Sequence, residues 1–203
     1  MLIGSRARRT ATVASDVDVV RIGHKAPLAF KRHEEKRSVT YIDYDVKSFC
    51  DLYARGSLFL YHVFREGRLL AGNSQAWARL KENFRVRTNF AKEISRNRKF
   101  LRWLQRGEKF RGAVIPYLAH TCRALKNLAI FSLAQKRRYV FDKRAALRGA
   151  FPSLPKSSID LLISANDSFE RAPRRRLSSE DVPMSHINRL RKQVTFAVQH
   201  APR

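Results

Sequence analysis

With 203 residues, 44% of them apolar, and few Gly or Pro, the chain is long enough for one ordinary domain or a small domain with a helical annex, and too apolar for wholesale disorder. Forty-two Lys and Arg against 17 Asp and Glu leave a net charge of +25, so RNA or another polyanion is the expected partner rather than a merely soluble surface. No apolar run approaches a bilayer span and no apolar segment follows the basic start, which excludes a membrane partner and a secretory signal from the expectation and favours a cytoplasmic protein.

The first 45 residues read as β-rich, with short β-branched and aromatic runs at 17–20 and 39–42. From residue 46 the pattern turns helical. Phe49, Leu52 and Tyr53 mark one short apolar face, and a second runs from Leu58 to Leu70, interrupted by Gly67. Between residues 75 and 106, Phe90, Ile94, Leu101 and Leu104 recur at helical spacing in a charged background. Pro116 is a helix-start signal, followed by a stripe of Leu118, Cys122, Leu125 and Ala129. Asp142 is an N-cap signal for a helix over Lys143 to Leu147, and Ser157 and Ser158 serve the same way before Ile159, Leu161 and Leu162. Residues 171–185, with two prolines and an arginine triplet, predict a loop, and 185–198 a last helix burying Ile187, Leu190, Val194 and Ala197. The expected architecture is α+β, a small mixed β-sheet domain over 1–72 followed by an all-helical domain over 73–203. Cys50 and Cys122 are far apart with no metal-ligand spacing and read as reduced core residues.

The charge is concentrated. Residues 71–150 hold 20 Lys and Arg against 4 Asp and Glu, a net +16. Within this stretch Trp77, Phe84, Phe90, Phe100 and Trp103 interleave with Arg85, Arg87, Arg96, Arg98 and Lys99. Aromatics among cations can stack nucleic-acid bases, and those five cations are the candidate nucleic-acid contacts; at helical spacing, core packing is the competing use of the rings.

Residues 4–20 carry the chemistry: Gly-Ser-Arg-Ala-Arg-Arg-Thr-Ala-Thr-Val-Ala-Ser-Asp-Val-Asp-Val-Val. Gly4 lets backbone approach a phosphate closely, and its turn with Ser5 offers N–H groups and a hydroxyl to anionic oxygens. Asp16 and Asp18, one residue apart on a strand, project from one face. Adjacent carboxylates repel unless a cation sits between them, and hard oxygen ligands select Mg²⁺ or Mn²⁺. A phosphate cradle beside a divalent-metal pair is the apparatus of phosphoryl or nucleotidyl transfer from a nucleoside triphosphate (NTP).

Gly4-Ser5, ten residues, then Asp16-Val17-Asp18 resembles the signature of the nucleotidyltransferase superfamily that includes DNA polymerase β and the minimal nucleotidyltransferases of prokaryotes. Arg6-Ala7-Arg8 and Ser15 also agree with the minimal members. Residues 56–70 resemble the segment that closes the same domain, in which the Gly-Ser pair, here Gly56-Ser57, lies near the nucleotide's sugar and base. Taken alone this segment is an amphipathic helix with a Gly stop, on which His62 reads as a packing or surface histidine. The remainder resembles, more loosely, the helical domain that accompanies such transferases, on residues 123–127 and 139–142. Ribonucleases of that helical class place a His a few residues after an Arg; none follows Arg123 at that distance, so that activity is not carried over. The resemblance implies an NTP held with Mg²⁺ or Mn²⁺ by Gly4, Ser5, Asp16 and Asp18, with Arg6, Arg8 or Arg9 touching the triphosphate. The nucleoside monophosphate would pass to a hydroxyl on RNA or on a partner protein, as in toxin–antitoxin pairs.

Active members add a third carboxylate on a neighbouring strand. Family spacing back from Gly56 lands on Ser38, which carries no charge. Asp43 is the first candidate for that role, with Asp45, Glu34 and Glu35 behind it, although Asp43 and Asp45 have the opposite parity to Ser38. Two further readings stay open: a nucleotidyltransferase fold that has lost its chemistry and serves as a basic nucleic-acid-binding module, and a structural or inhibitory partner of an acidic protein.

Overall fold

The computed structural model describes residues 1–11, 15–23, 32–34, 37–105, 113–170 and 182–200, with backbone alone at 32–34, 37, 38 and 170. It divides into two compact units, Met1–Arg87 and Thr88–Arg203. Each is described separately.

In the first unit the β-branched runs form β2 (Val17–Ile22) and β4 (Arg37–Tyr44), which pair in parallel; β1 (Leu2–Ile3) runs antiparallel to β2, and β3 (Arg32–Glu34) antiparallel to β4. The order is β1-β2-β4-β3. A single turn of helix, α1 (Gly4–Ala7), follows β1 directly. Side-chain alternation divides the sheet's faces. Val20, Ile22, Ile42 and Tyr44 lie on the face covered by α3 (Leu58–Glu66), where Val63 and Phe59 meet them and Ile3 completes the cluster. Asp45 caps α2 (Val46–Ala54), accepting from the Ser48 N–H at 2.6 Å.

The unit extends past the boundary expected at 72/73 because α4 (Ser74–Asn83) and the extended segment after it complete an aromatic core. Phe64 lies 4.7 Å from Trp77 and 5.0 Å from Phe84 between ring centroids, and the Tyr53 hydroxyl donates to the Leu80 carbonyl at 2.9 Å. Gly67 closes α3 in extended backbone, at a position where a Cβ would meet the Val63 carbonyl oxygen at 2.3 Å, and Arg68 then bridges back to Leu2.

The second unit is helical over its described residues: α5 (Ala91–Gln105), α6 (Val114–Gln135), α7 (Lys143–Ala150), α8 (Lys156–Glu170) and α9 (Met184–Gln199). One aliphatic core built on Leu118, Leu125, Leu128, Leu147, Ile159 and Leu162 joins them, with Ile187, Leu190, Val194 and Ala197 contributed by α9. Two helix starts differ from expectation. α6 begins at Val114, and Pro116 sits inside its first turn, where the missing N–H costs no intrahelical bond. α8 begins at Lys156, so Ser157 and Ser158 lie within it, and the Ser158 hydroxyl instead meets Gln193 Oε1 of α9 at 2.6 Å. Asp142 does cap α7, accepting from the Ala145 N–H at 2.8 Å. Cys122 is buried as expected, but Cys50 is exposed on α2. The loop expected over 171–185 falls largely outside the described residues. Among the described residues no helix is long and apolar enough to cross a membrane.

Candidate nucleotide site

The motif spans two elements that the β1–β2 pairing brings together. Ile3 stands opposite Asp18 in the antiparallel ladder, so the turn that follows β1 begins beside the second acid. Gly4 has φ of +74°, and a Cβ built on it would lie 2.9 Å from Asp18 Oδ2. Any other residue would be both strained and pressed against the carboxylate. The N–H donors of Arg8, Arg9 and Thr10 close onto the Gly4, Arg6 and Ser5 carbonyls, which fixes the turn.

Asp16 precedes β2 and Asp18 lies within it; alternation in an extended chain puts them on one face. Arg6 holds the approach to this pair, donating from Nε at 3.2 Å and Nη2 at 2.8 Å to the Ser15 carbonyl. Of the three arginines among which a triphosphate contact is expected, Arg6 is thus engaged with the Ser15 carbonyl next to Asp16. Arg8 donates to Glu66 Oε2 at 2.9 Å, which ties α1 to α3. Arg9 is exposed, with φ of +63°. The same Glu66 oxygen lies 3.1 Å from His62 Nε2. Burial, the largest influence, and Arg8 both push the His62 pKa below the ordinary 6.5, against the pull of Glu66, so the ring is predominantly neutral at pH 7. His62 is thus a half-buried, neutral neighbour of Glu66 on α3.

The neighbouring strand supplies no acid opposite the pair. Thr40 stands opposite Asp18, and the ladder places Arg21 opposite Asp43. Asp43 falls on the other face of the sheet, where Arg21 grips it with two bonds of 2.6 Å while lying 4.3 Å from the centre of the Tyr41 ring. The Asp43 bond is the largest of the influences that raise the Arg21 pKa. Asp43 is thus not brought to Asp16 and Asp18, in keeping with its parity. Asp45 is occupied as the α2 cap, and its bonds from Ser48 hold its pKa below the ordinary carboxylate value. The Ser38 and Glu34 side chains and all of Glu35 lie outside the described residues. Among the described residues no three of His, Cys, Asp and Glu gather as metal ligands.

Gly56 has φ of +60°, and a Cβ there would meet the Arg87 nitrogen at 2.6 Å and the Arg85 carbonyl oxygen at 2.7 Å. The packing of the 85–87 backbone onto this turn demands glycine without any ligand; Ser57 heads α3 without a side-chain cap bond.

The candidate nucleic-acid cations divide between the units. Arg85 curls back on the end of α4, donating to the Glu82 and Phe84 carbonyls at 2.6 and 3.1 Å, and Arg87 is exposed beside it. Arg96, Arg98 and Lys99 lie on α5. Of the interleaved aromatics, Phe84 and Phe90 are buried and Trp77 is half-buried in core, whereas Phe100 and Trp103 are exposed and stack at 5.6 Å and 14°.

Comparison with protein-family models, with curated proteins and with solved structures gave no match. The chemistry of the site rests on its own residues. Two carboxylates behind a glycine turn suit a hard divalent ion that takes its remaining oxygens from water and a triphosphate, since Mg²⁺ is commonly held by one or two carboxylates plus substrate phosphates.

Proposed function

We propose that the Met1–Arg87 unit is a metal-dependent nucleotidyltransferase of the DNA polymerase β type, which transfers a nucleoside monophosphate from an NTP to a hydroxyl on RNA or a partner protein. The observation that carries this reading is the contact of Gly4 with Asp18: the two halves of the motif meet in space, with room for only a glycine between turn and carboxylate. Asp16 and Asp18 fit Mg²⁺ or Mn²⁺ as a pair of hard oxygen ligands. When bound, the ion neutralises triphosphate charge and polarises the phosphorus under attack. Gly4 and Ser5 hold the phosphate chain, Arg6 braces the strand entry that presents Asp16, and the Arg8–Glu66 pair fixes the turn. The acceptor oxygen bonds to the α-phosphorus, pyrophosphate leaves with the electrons of the broken P–O bond, and the hydroxyl proton passes to solvent.

The test is calorimetric titration of the protein with each NTP in the presence of Mg²⁺ or Mn²⁺. The reading expects metal-dependent binding that Asp16→Ala/Asp18→Ala abolishes. Absence of binding for every NTP, or equal binding by the double variant, contradicts it.

Thr40 favours a second reading, in which the fold is kept and the chemistry lost. An uncharged residue opposite Asp18 leaves the strand that carries the third carboxylate in active members without a base at that position. The unit would then bind an NTP with metal without turning it over, and the chain would serve as a basic nucleic-acid-binding module.

A further inference from the structure

In the helical unit a cleft of about 510 Å³ opens between α5 and the end of α6. Ser95, Arg98 and Arg102 line it from α5, and Ser132, Gln135 and Lys136 line it from α6 and its C-cap. Its polar lining can donate at every position, and no carboxylate lines it. Gln135 accepts the Phe90 N–H through Oε1 at 2.6 Å, which commits its acceptor to the backbone and leaves its NH₂ group to donate. Arg98 has a buried Nε with no hydrogen-bond partner among the described residues. Buried donors are ordinarily satisfied, so this nitrogen has capacity for one further acceptor, from water or from a ligand oxygen. Arg102 and Lys136 are both exposed at the rim.

Three cations, two hydroxyls and an amide without a counter-charge suit phosphate oxygens. The breadth of charge favours a chain of phosphates over a single anion: the helical unit holds 25 Lys and Arg against 8 Asp and Glu, a net +17. The outer side of α5, well round the helix from the cleft, carries Arg96 and Lys99 with the exposed Phe100–Trp103 stack. Exposed rings among cations suit unpaired bases rather than a duplex.

We propose that the α5/α6 cleft binds the phosphate backbone of a single-stranded nucleic acid through Arg98, Arg102 and Lys136. This assignment is independent of the nucleotide reading of the sheet unit.

The test is fluorescence anisotropy of a labelled oligouridylate titrated with the full chain at several salt concentrations. The Arg98→Gln/Arg102→Gln/Lys136→Gln variant is compared with the charge-matched Arg148→Gln/Lys156→Gln/Arg189→Gln variant, whose changes lie outside the cleft. The expected result is at least roughly tenfold weaker binding by the cleft variant and a salt slope shallower by about 2, at about 0.7 for each phosphate that is no longer neutralised. The control variant is expected to lose far less, and Asp16→Ala/Asp18→Ala to bind as the unaltered chain does. Equal losses in the cleft and control variants would overturn the proposal in favour of diffuse attraction. So would an unaltered chain that ignores the oligouridylate, including one whose cleft takes only inorganic phosphate. Circular dichroism reports whether each variant folds, and if the triple cleft variant does not, the rim changes Arg102→Gln and Lys136→Gln carry the comparison singly.

Discussion

The two units use charge in opposite ways. In the sheet unit, 17 Lys and Arg face 9 Asp and Glu, and the arginines nearest the motif are engaged: Arg6 on the Ser15 carbonyl, Arg8 on Glu66, Arg21 on Asp43. The bonds of Arg6 and Arg8 shape a small, specific place around Gly4 and Asp18, and that of Arg21 secures Asp43 on the other face of the sheet. The helical unit carries about twice the net charge over an aliphatic core, and Arg98, Arg102 and Lys136 meet one cleft without an acid among them. Cations that are paired at short range build geometry; cations left to solvent build a field that draws a polyanion. The same residue type thus signals precision in one unit and attraction in the other.

The largest effects that would break this comparison lie in the cores. Leu125→Ala empties fully buried volume in the helical unit and is expected to cost about 2–5 kcal/mol in denaturant unfolding. A cost below about 1 kcal/mol would mean the core is looser than its burial suggests. The glycines sharpen the contrast within the sheet unit. Gly56→Ala drives a Cβ into backbone at 2.6 Å and should destabilise by about 1–3 kcal/mol, read from the unfolding midpoint, because neither strand of the contact can yield cheaply. Gly4→Ala should cost about 1–2 kcal/mol of backbone strain and abolish metal-dependent NTP binding, because the group it presses is the Asp18 carboxylate. If Gly4→Ala binds NTP normally, the turn does not face the nucleotide.

Smaller effects test the local devices. Asp142→Ala should remove about 1 kcal/mol from the helical unit through loss of the α7 cap. The smallest concerns pH. His62 has a folded pKa below 6.5, so below that pH the unfolded chain binds the extra proton and the folded one resists it. Stability from the neutral ring is present above pH 6.5 and is lost as pH falls toward the folded pKa. His62→Asn should flatten the slope of sheet-unit stability with pH just below 6.5; an unchanged slope would place its origin elsewhere.

Much of the sheet unit is legible in the sequence because its signals are local. The β-branched runs mark β2 and β4, and strand parity sets Asp43 on the opposite face from Ser38. The register that sets Thr40 opposite Asp18 comes only with the structure, since parity fixes a face and not a partner. α1 leaves no trace in the pattern because four residues carry no periodicity. The unit boundary lies at Arg87 because Trp77, Leu80 and Phe84 sit in a charged stretch whose composition resembles the helical unit while their rings and side chains pack on Tyr53 and Phe64. In the helical unit the interleaving of rings and cations marks Arg98 but neither Arg102 nor Lys136. Lys136 follows a different helix, and only the packing of α5 on α6 sets it beside Arg98. The signal that could have found Arg102 is helical spacing, four residues beyond Arg98 on the same face.

The central claim is that Gly4, Ser5, Asp16 and Asp18 form a working transfer site. The direct measurement is incubation of the protein with each α-³²P-NTP and Mg²⁺ or Mn²⁺, offered total RNA and cell lysate as acceptors, beside the Asp16→Ala/Asp18→Ala variant. The account predicts label on RNA or on a protein that disappears in the double variant. No label with any nucleotide, together with oligouridylate binding that survives the double substitution, would contradict it and leave the chain a binding module.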